Sequence, residues 1–147
     1  MNKNDLRFQK TEALIKSTYY SLKKRGSTVV KVKDLCDTAM INKTTFYAHY
    51  ETIEHLHKAV CIDFVTKILT QTFSIEKIQN DIRTFVYSIL NAFVEEMATV
   101  EKLYGDDMHT LINDIETLLM EDFRQHSVDE DYELSIRFCI GGAFRLL

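Results

Sequence analysis

Apolar residues recur along this chain at spacings of three and four, and no stretch alternates convincingly, so the pattern predicts helices throughout. The first is expected from about Asp5 to Arg25, capped by Asn4 or Asp5, with Leu14, Ile15, Thr18, Tyr19 and Leu22 on one face. Lys23, Lys24 and Arg25 close it in keeping with the helix dipole, and Gly26 is the natural C′ residue. Two short helices follow around a tight turn. Val32 to about Thr38 carries Val32, Leu35, Cys36 and Ala39 as its apolar stripe. The next opens at Asn42, whose side-chain oxygen suits an N-cap, with Ile41 at N′ and Phe46 at N4 as a hydrophobic staple. Isolated helices under about 12 residues are marginal in water, so these two need cover, and the first helix supplies it.

A long helix is expected from about Ile53 to Phe73, burying Leu56, Val60, Phe64, Ile68 and Leu69. Ser74 caps the next, with Glu76 in its first turn, running to about Thr99. Its stripe of Ile75, Ile78, Ile82, Phe85, Ile89, Phe93 and Met97, widened by Val86, Leu90 and Val94, places it at the centre of a bundle. Val100 to Asp107 reads as a break, with room for a short helical turn at its start. Met108 to His126 is helical, with Leu111, Ile112, Ile115, Leu118, Leu119 and Phe123 inward. Ser127 or Asp129 caps a last helix from about Glu130 to Leu147, whose apolar positions include Tyr132, Ile136, Ile140, Ala143, Phe144 and Leu147. Its Phe138–Phe144 stretch is apolar nearly all round and includes Gly141 and Gly142.

Composition sharpens this picture. With no Pro, four Gly and 46% hydrophobic residues, the chain has few helix breakers and enough apolar mass for a core. The expected fold is all-α: an N-terminal three-helix helix-turn-helix head over residues 1–50, and a C-terminal helical bundle body over 51–147. The net charge of −4 is unevenly spread, about +6 over residues 1–50 and −10 over the rest. A basic head on an acidic body suits nucleic acid at the head end. No apolar run of about 18 residues exists, the first ten residues lack the apolar core of a signal peptide, and three scattered cysteines form no disulfide framework. A cytoplasmic protein with no membrane partner is expected.

No Gly-rich phosphate loop, nucleophile elbow or HExxH motif is present, so neither enzyme activity nor a cofactor is expected. His55 and His57 are two apart on a helix and cannot share a metal as an i, i+4 pair could. They are expected at the surface or at a hinge, and no metal site is expected. The candidate chemistry lies on the helix after Asn42. Lys43, Thr44, Tyr47 and Ala48 share its outer side, with Thr45 and His49 flanking. One cation, several hydroxyls and little bulk can approach a duplex closely: Lys and Tyr on phosphates, Thr44, Thr45 and His49 on base edges. Lys31, Lys33 and Asn42 complete the expected DNA-binding set. The Lys23–Arg25 cluster reads equally as phosphate contact or dipole complementation, and Arg7 and Lys10 could reach the DNA backbone from the first helix.

Residues Gly26 to Leu56 resemble the DNA-binding domain of the TetR/AcrR family of bacterial regulators. The resemblance rests on Gly26, the Val32–Cys36 helix, Ile41-Asn42-Lys43-Thr44-Thr45-Phe46-Tyr47, the aromatic Tyr50 and Glu54-x-Leu56. Met40 stands where the family usually has a turn Gly, Lys31 where a Thr commonly caps, and Glu51 and Ile53 where Lys is frequent. The resemblance implies a homodimer that binds double-stranded DNA at a palindromic operator as a ligand-responsive repressor, its third helix in the major groove. It implies a small-molecule effector in the body, for which Phe64, Ile68, Phe85, Ile89, Phe93, Met97, Tyr104, Met108, His109 and Phe123 are candidate lining residues. It also implies a dimer surface on the last helix, at Phe138, Ile140, Gly141 and Phe144. Glu51 and Glu54, near where a phosphate would pass, motivate the alternative: a protein-binding adaptor or coactivator with weak or no DNA binding.

Overall fold

The computed structural model describes residues 5–27, 29–72, 81–125 and 130–143, and all regular structure among them is helical. In chain order these helices are α1 (Leu6–Lys24), α2 (Val32–Ala39), α3 (Lys43–His49), α4 (Ile53–Thr72), α5 (Ile82–Glu95), α6 (Met97–Tyr104), α7 (Met108–Gln125) and α8 (Glu130–Ala143). The protein is all-α. It forms two compact units, Met1–Cys61 and Ile62–Leu147. The boundary falls eleven residues beyond the expected one because the first turns of α4 belong to the first unit: the Tyr19 hydroxyl on α1 lies 3.0 Å from His57 Nδ1. His57 is therefore half-buried rather than a free surface residue, and burial pushes the Tyr19 phenol up to about 12.

In the first unit, Asp5 caps α1 by accepting from the Arg7 amide at 2.9 Å. Gly26, at φ +94°, ends it, its amide bonded to the Lys23 carbonyl. Phe8, Ile15, Thr18 and Tyr19 form the buried face of α1, so that face passes through Phe8 and leaves Leu14 43% exposed, contrary to the sequence reading. α1 packs on α2, and α2 on α3. Leu35 and Phe46 are fully excluded from solvent, and Cys36, Ala39 and Tyr50 nearly so. The turn between α2 and α3 hangs on Met40 in the left-handed region, φ 54° and ψ 41°, with its side chain 93% exposed. A residue with a Cβ is strained there by about 1–2 kcal/mol, which is the backbone reason a glycine would be favoured.

In the second unit, α8 packs on both α5 and α7, and α6 links α5 to α7. Phe85, Ile89 and Phe93 on α5, Leu111, Ile115, Leu119 and Phe123 on α7, and Ile136 and Ile140 on α8 are the buried residues of the unit's core. The single helix expected from Ser74 to Thr99 is not continuous. Asp81 is extended and caps α5, accepting from the Arg83 amide at 3.0 Å and from the Thr84 hydroxyl. Glu96 then breaks the chain, its carbonyl accepting from the Thr99 and Val100 amides that start α6. Residues read as a break from Val100 onward are thus mostly helix, ending at Gly105. Val94, expected in the stripe, is 46% exposed. Asp107 bonds the Thr110 amide at 3.0 Å and hydroxyl at 2.7 Å at the start of α7. The expected caps Asn4, Ser74, Ser127 and Asp129, the stripe positions Ile75 and Ile78, and the chain end from Phe144 lie outside the described residues.

Candidate functional site

Two devices hold α3, a helix of seven residues. The Asn42 Oδ1 accepts from the Thr45 amide at 2.7 Å and from the Thr45 hydroxyl at 2.9 Å, closing the N-terminus. Such a cap contributes roughly 1 kcal/mol. Phe46 is the anchor, with no exposed surface, and Tyr50, just past the helix, donates its hydroxyl to Glu12 of α1 at 3.1 Å. With the inner side fixed, Lys43, Thr44, Tyr47 and Ala48 stand exposed together. Tyr47 is 55% exposed, its ring edge-on to Phe46 at 5.3 Å.

The remaining expected residues divide. Lys31 and Lys33 are exposed on and just before α2, and the Lys31 side chain makes no capping bond. Asn42 and Thr45 are engaged with each other, which turns the Thr45 hydroxyl toward the cap rather than outward. His49 departs furthest from expectation. It stacks on Phe8 of α1, ring centroids 3.8 Å apart and planes inclined 24°. Its Nδ1 is buried and has no hydrogen-bond partner among the described residues. Burial holds the imidazole below its ordinary range, against the opposing pull of Glu12. His49 is half-buried, with one ring face packed on α1. It lies three residues from Phe46 and one from Tyr50, which puts it beside the inward face, and Phe8 fits the α1 repeat that leads to Ile15; these spacings were the available signals. A groove of about 430 Å³ runs between the start of α1 and α3, lined among others by Arg7, Thr11, Thr44, Thr45, Ala48 and His49.

In the second unit the residues expected to line a pocket or a dimer surface fall into different environments. Of the candidate pocket residues, Ile68, Phe85, Ile89, Phe93 and Tyr104 are buried, Phe64 and Met108 half-buried, and His109 exposed. Phe64 meets Phe93 edge-on at 6.3 Å, and the Tyr104 hydroxyl donates to buried Asp114 at 3.0 Å. Aromatic rings at helical spacing fill one another's space, as close packing demands, rather than leaving a void. A cavity of about 270 Å³ lies instead between α4 and α7, lined by Thr66, Leu69, Thr70, Leu118, Leu119, Glu121, Asp122 and Gln125. Of the expected dimer residues, Phe138 is 83% exposed, and Leu134 one turn earlier is 70% exposed. Ile140 is fully buried within the unit, sharing the inward face with Ile136. A Cβ on half-buried Gly141 would stand 3.5 Å from a Glu116 carboxylate oxygen on α7, and Phe144 lies outside the described residues.

Among the described residues no helix is long and apolar enough to cross a membrane. In comparison with known proteins, no family model matches this chain, and neither does any curated protein or solved structure.

Proposed function

We propose that this chain is a sequence-specific DNA-binding transcriptional regulator of the TetR/AcrR type, cytoplasmic and dimeric, that represses from a palindromic operator and responds to a small-molecule effector. The observation that carries the reading is the outer side of α3: Lys43, Thr44, Tyr47 and Ala48, exposed side by side on a helix capped by Asn42 and pinned by Phe46. We read α2, the left-handed turn at Met40 and α3 as a helix-turn-helix, with α3 in the major groove. Lys43, Tyr47, Lys31 and Lys33 meet phosphates, and Thr44 meets a base edge. The net charge of about +6 over residues 1–50 supports the electrostatic part of that binding. Leu134 and Phe138 on α8, exposed and one turn apart, support a face that a second copy covers. The cavity between α4 and α7 is our assignment for the effector.

The test is a mobility-shift titration of the purified protein with genomic fragments at two salt concentrations. Affinity should fall steeply with salt, each phosphate contact adding about 0.9 to the log–log slope. Tyr47→Ala should abolish the shift, and Lys43→Ala should reduce the slope by about one. A folded protein with no affinity for any fragment at low salt would sink the reading. One observation favours the adaptor alternative: Glu51 and Glu54 are both exposed between α3 and the body of α4, and backbone and Thr52 hydrogen bonds hold the Glu54 carboxyl below its usual range, keeping it anionic. A stable protein partner together with absent DNA binding would decide for it.

A further inference from the structure

Ties between α3 and α1 include the Phe8–His49 ring stack and, just past α3, the Tyr50 hydroxyl on Glu12. Their chemistry is unequal. One joins a phenol hydroxyl to a carboxylate across 3.1 Å. The stack contains a group that can acquire a charge in the neutral range. With Nδ1 buried and unpaired among the described residues, a neutral imidazole carrying its proton on Nε2 leaves no lone N–H at that buried position. Adding a second proton creates a buried N–H with no acceptor and a charge in a partly desolvated place, and both cost free energy.

We propose that the Phe8–His49 stack is a pH-sensitive latch, which holds α3 against α1 while His49 is neutral and loosens it when His49 is protonated. Among the described residues, the charged and titratable groups around the ring are Asp5 at the cap of α1, Arg7 and Glu12 within α1, and Tyr50 beyond α3, whose own ring is met edge-on by His55 of α4. Glu12 favours protonation. Burial outweighs Glu12 and sets the direction downward. The sign follows from linkage. A histidine whose folded-state pKa lies below its unfolded value of about 6.5 leaves the unfolded chain binding more protons between the two values. The latch is therefore fully closed above about pH 6.5 and weakens as pH falls from there toward the folded-state value, tenfold in the equilibrium constant for each pH unit of depression. The latch itself stands without the regulator reading. Its effect on DNA rests on that reading, since a loosened α3 no longer presents Lys43, Thr44 and Tyr47 in one geometry.

The experiment uses the full chain. The His49 ring is followed by NMR from pH 8 to pH 5, and denaturant midpoints are measured over the same range for the wild type, for His49→Phe, which keeps a stacked ring without a titrating group, and for His49→Gln. The expected results are a His49 titration midpoint below about 6.5 and a fall in the wild-type midpoint on acidification that is smaller in both variants. A His49 midpoint at or above that value, or an unchanged pH slope in His49→Phe, overturns the latch. The NMR titration is on the wild type, so it decides even if a variant fails to fold. A parallel mobility shift with mixed-sequence duplex DNA should lose affinity on acidification in the wild type more than in His49→Phe. Equal losses in the two overturn the coupling of latch to DNA, whereas no DNA binding at any pH overturns the regulator reading and leaves the latch to be judged by NMR and denaturation.

Discussion

The outward sides of α3 and α8 are built from opposite chemistry. Both helices bury an apolar row, Phe46 in one and Ile136 with Ile140 in the other. Beyond that row, α3 offers Lys43, Thr44 and Tyr47 to its surroundings, whereas α8 offers Leu134, Phe138 and Cys139. The first set suits a charged, hydrated partner, and the second suits another apolar surface. The lesson is that the same residue type means different things in the two places. A phenylalanine holds α3 in, and a phenylalanine stands out from α8. The helices also differ in self-sufficiency. The seven residues of α3 are too few to persist without cap and anchor, while the fourteen of α8 lie across two neighbours.

The largest test of this contrast is to make one substitution in both places. Phe46→Ala removes a fully buried ring and should cost about 3–5 kcal/mol in denaturant unfolding; a loss under about 1 kcal/mol would mean that α3 is held by something other than its anchor. Within the second unit, Tyr104→Phe deletes the donor to Asp114 and leaves a buried carboxylate oxygen short of one bond. A loss of about 1–3 kcal/mol is expected, and a neutral result would show that water replaces the bond. Met40→Gly relieves the left-handed strain between α2 and α3 and should raise stability by about 1 kcal/mol; no gain would mean that the exposed Met side chain contributes contacts of its own. Phe138→Ala should have the smallest effect on stability of the single chain, within about 0.5 kcal/mol. In sedimentation it should shift the protein toward monomer, and an unchanged association state would remove α8 from the dimer reading.

Much of the first unit was legible because its helix ends are written in side chains. Asp5, Gly26 and Asn42 each mark a terminus through a local bond or a positive φ, and local signals survive without knowledge of the fold. The second unit was less legible because apolar periodicity continues across its breaks. Phe85, Ile89, Phe93 and Met97 keep helical spacing through Glu96, where the backbone leaves the helix, so the pattern alone gives no reason to stop there. Tertiary neighbours hid the rest. The spacing of His49 from Phe46 and Tyr50 places it beside the inward face of α3, but only the fold brings the Phe8 ring of α1 over it. Likewise, Ile140 looked available for association only while α5 and α7, which cover its side of α8, were out of view. The cavity between α4 and α7 has no signature in the sequence, because its lining mixes Thr, Leu and acids and carries no aromatic ring.

Gly105 closes α6 at φ 59° and ψ −128°, and a Cβ placed there would meet nothing within 4 Å. A position can thus be intolerant of change while touching no neighbour: the prohibition comes from torsion alone, since that combination of angles suits glycine and almost nothing else. In a saturation library this empty-looking corner should therefore be as unforgiving as the packed interior. Even alanine should be depleted there, and a survey based on proximity would pass over it.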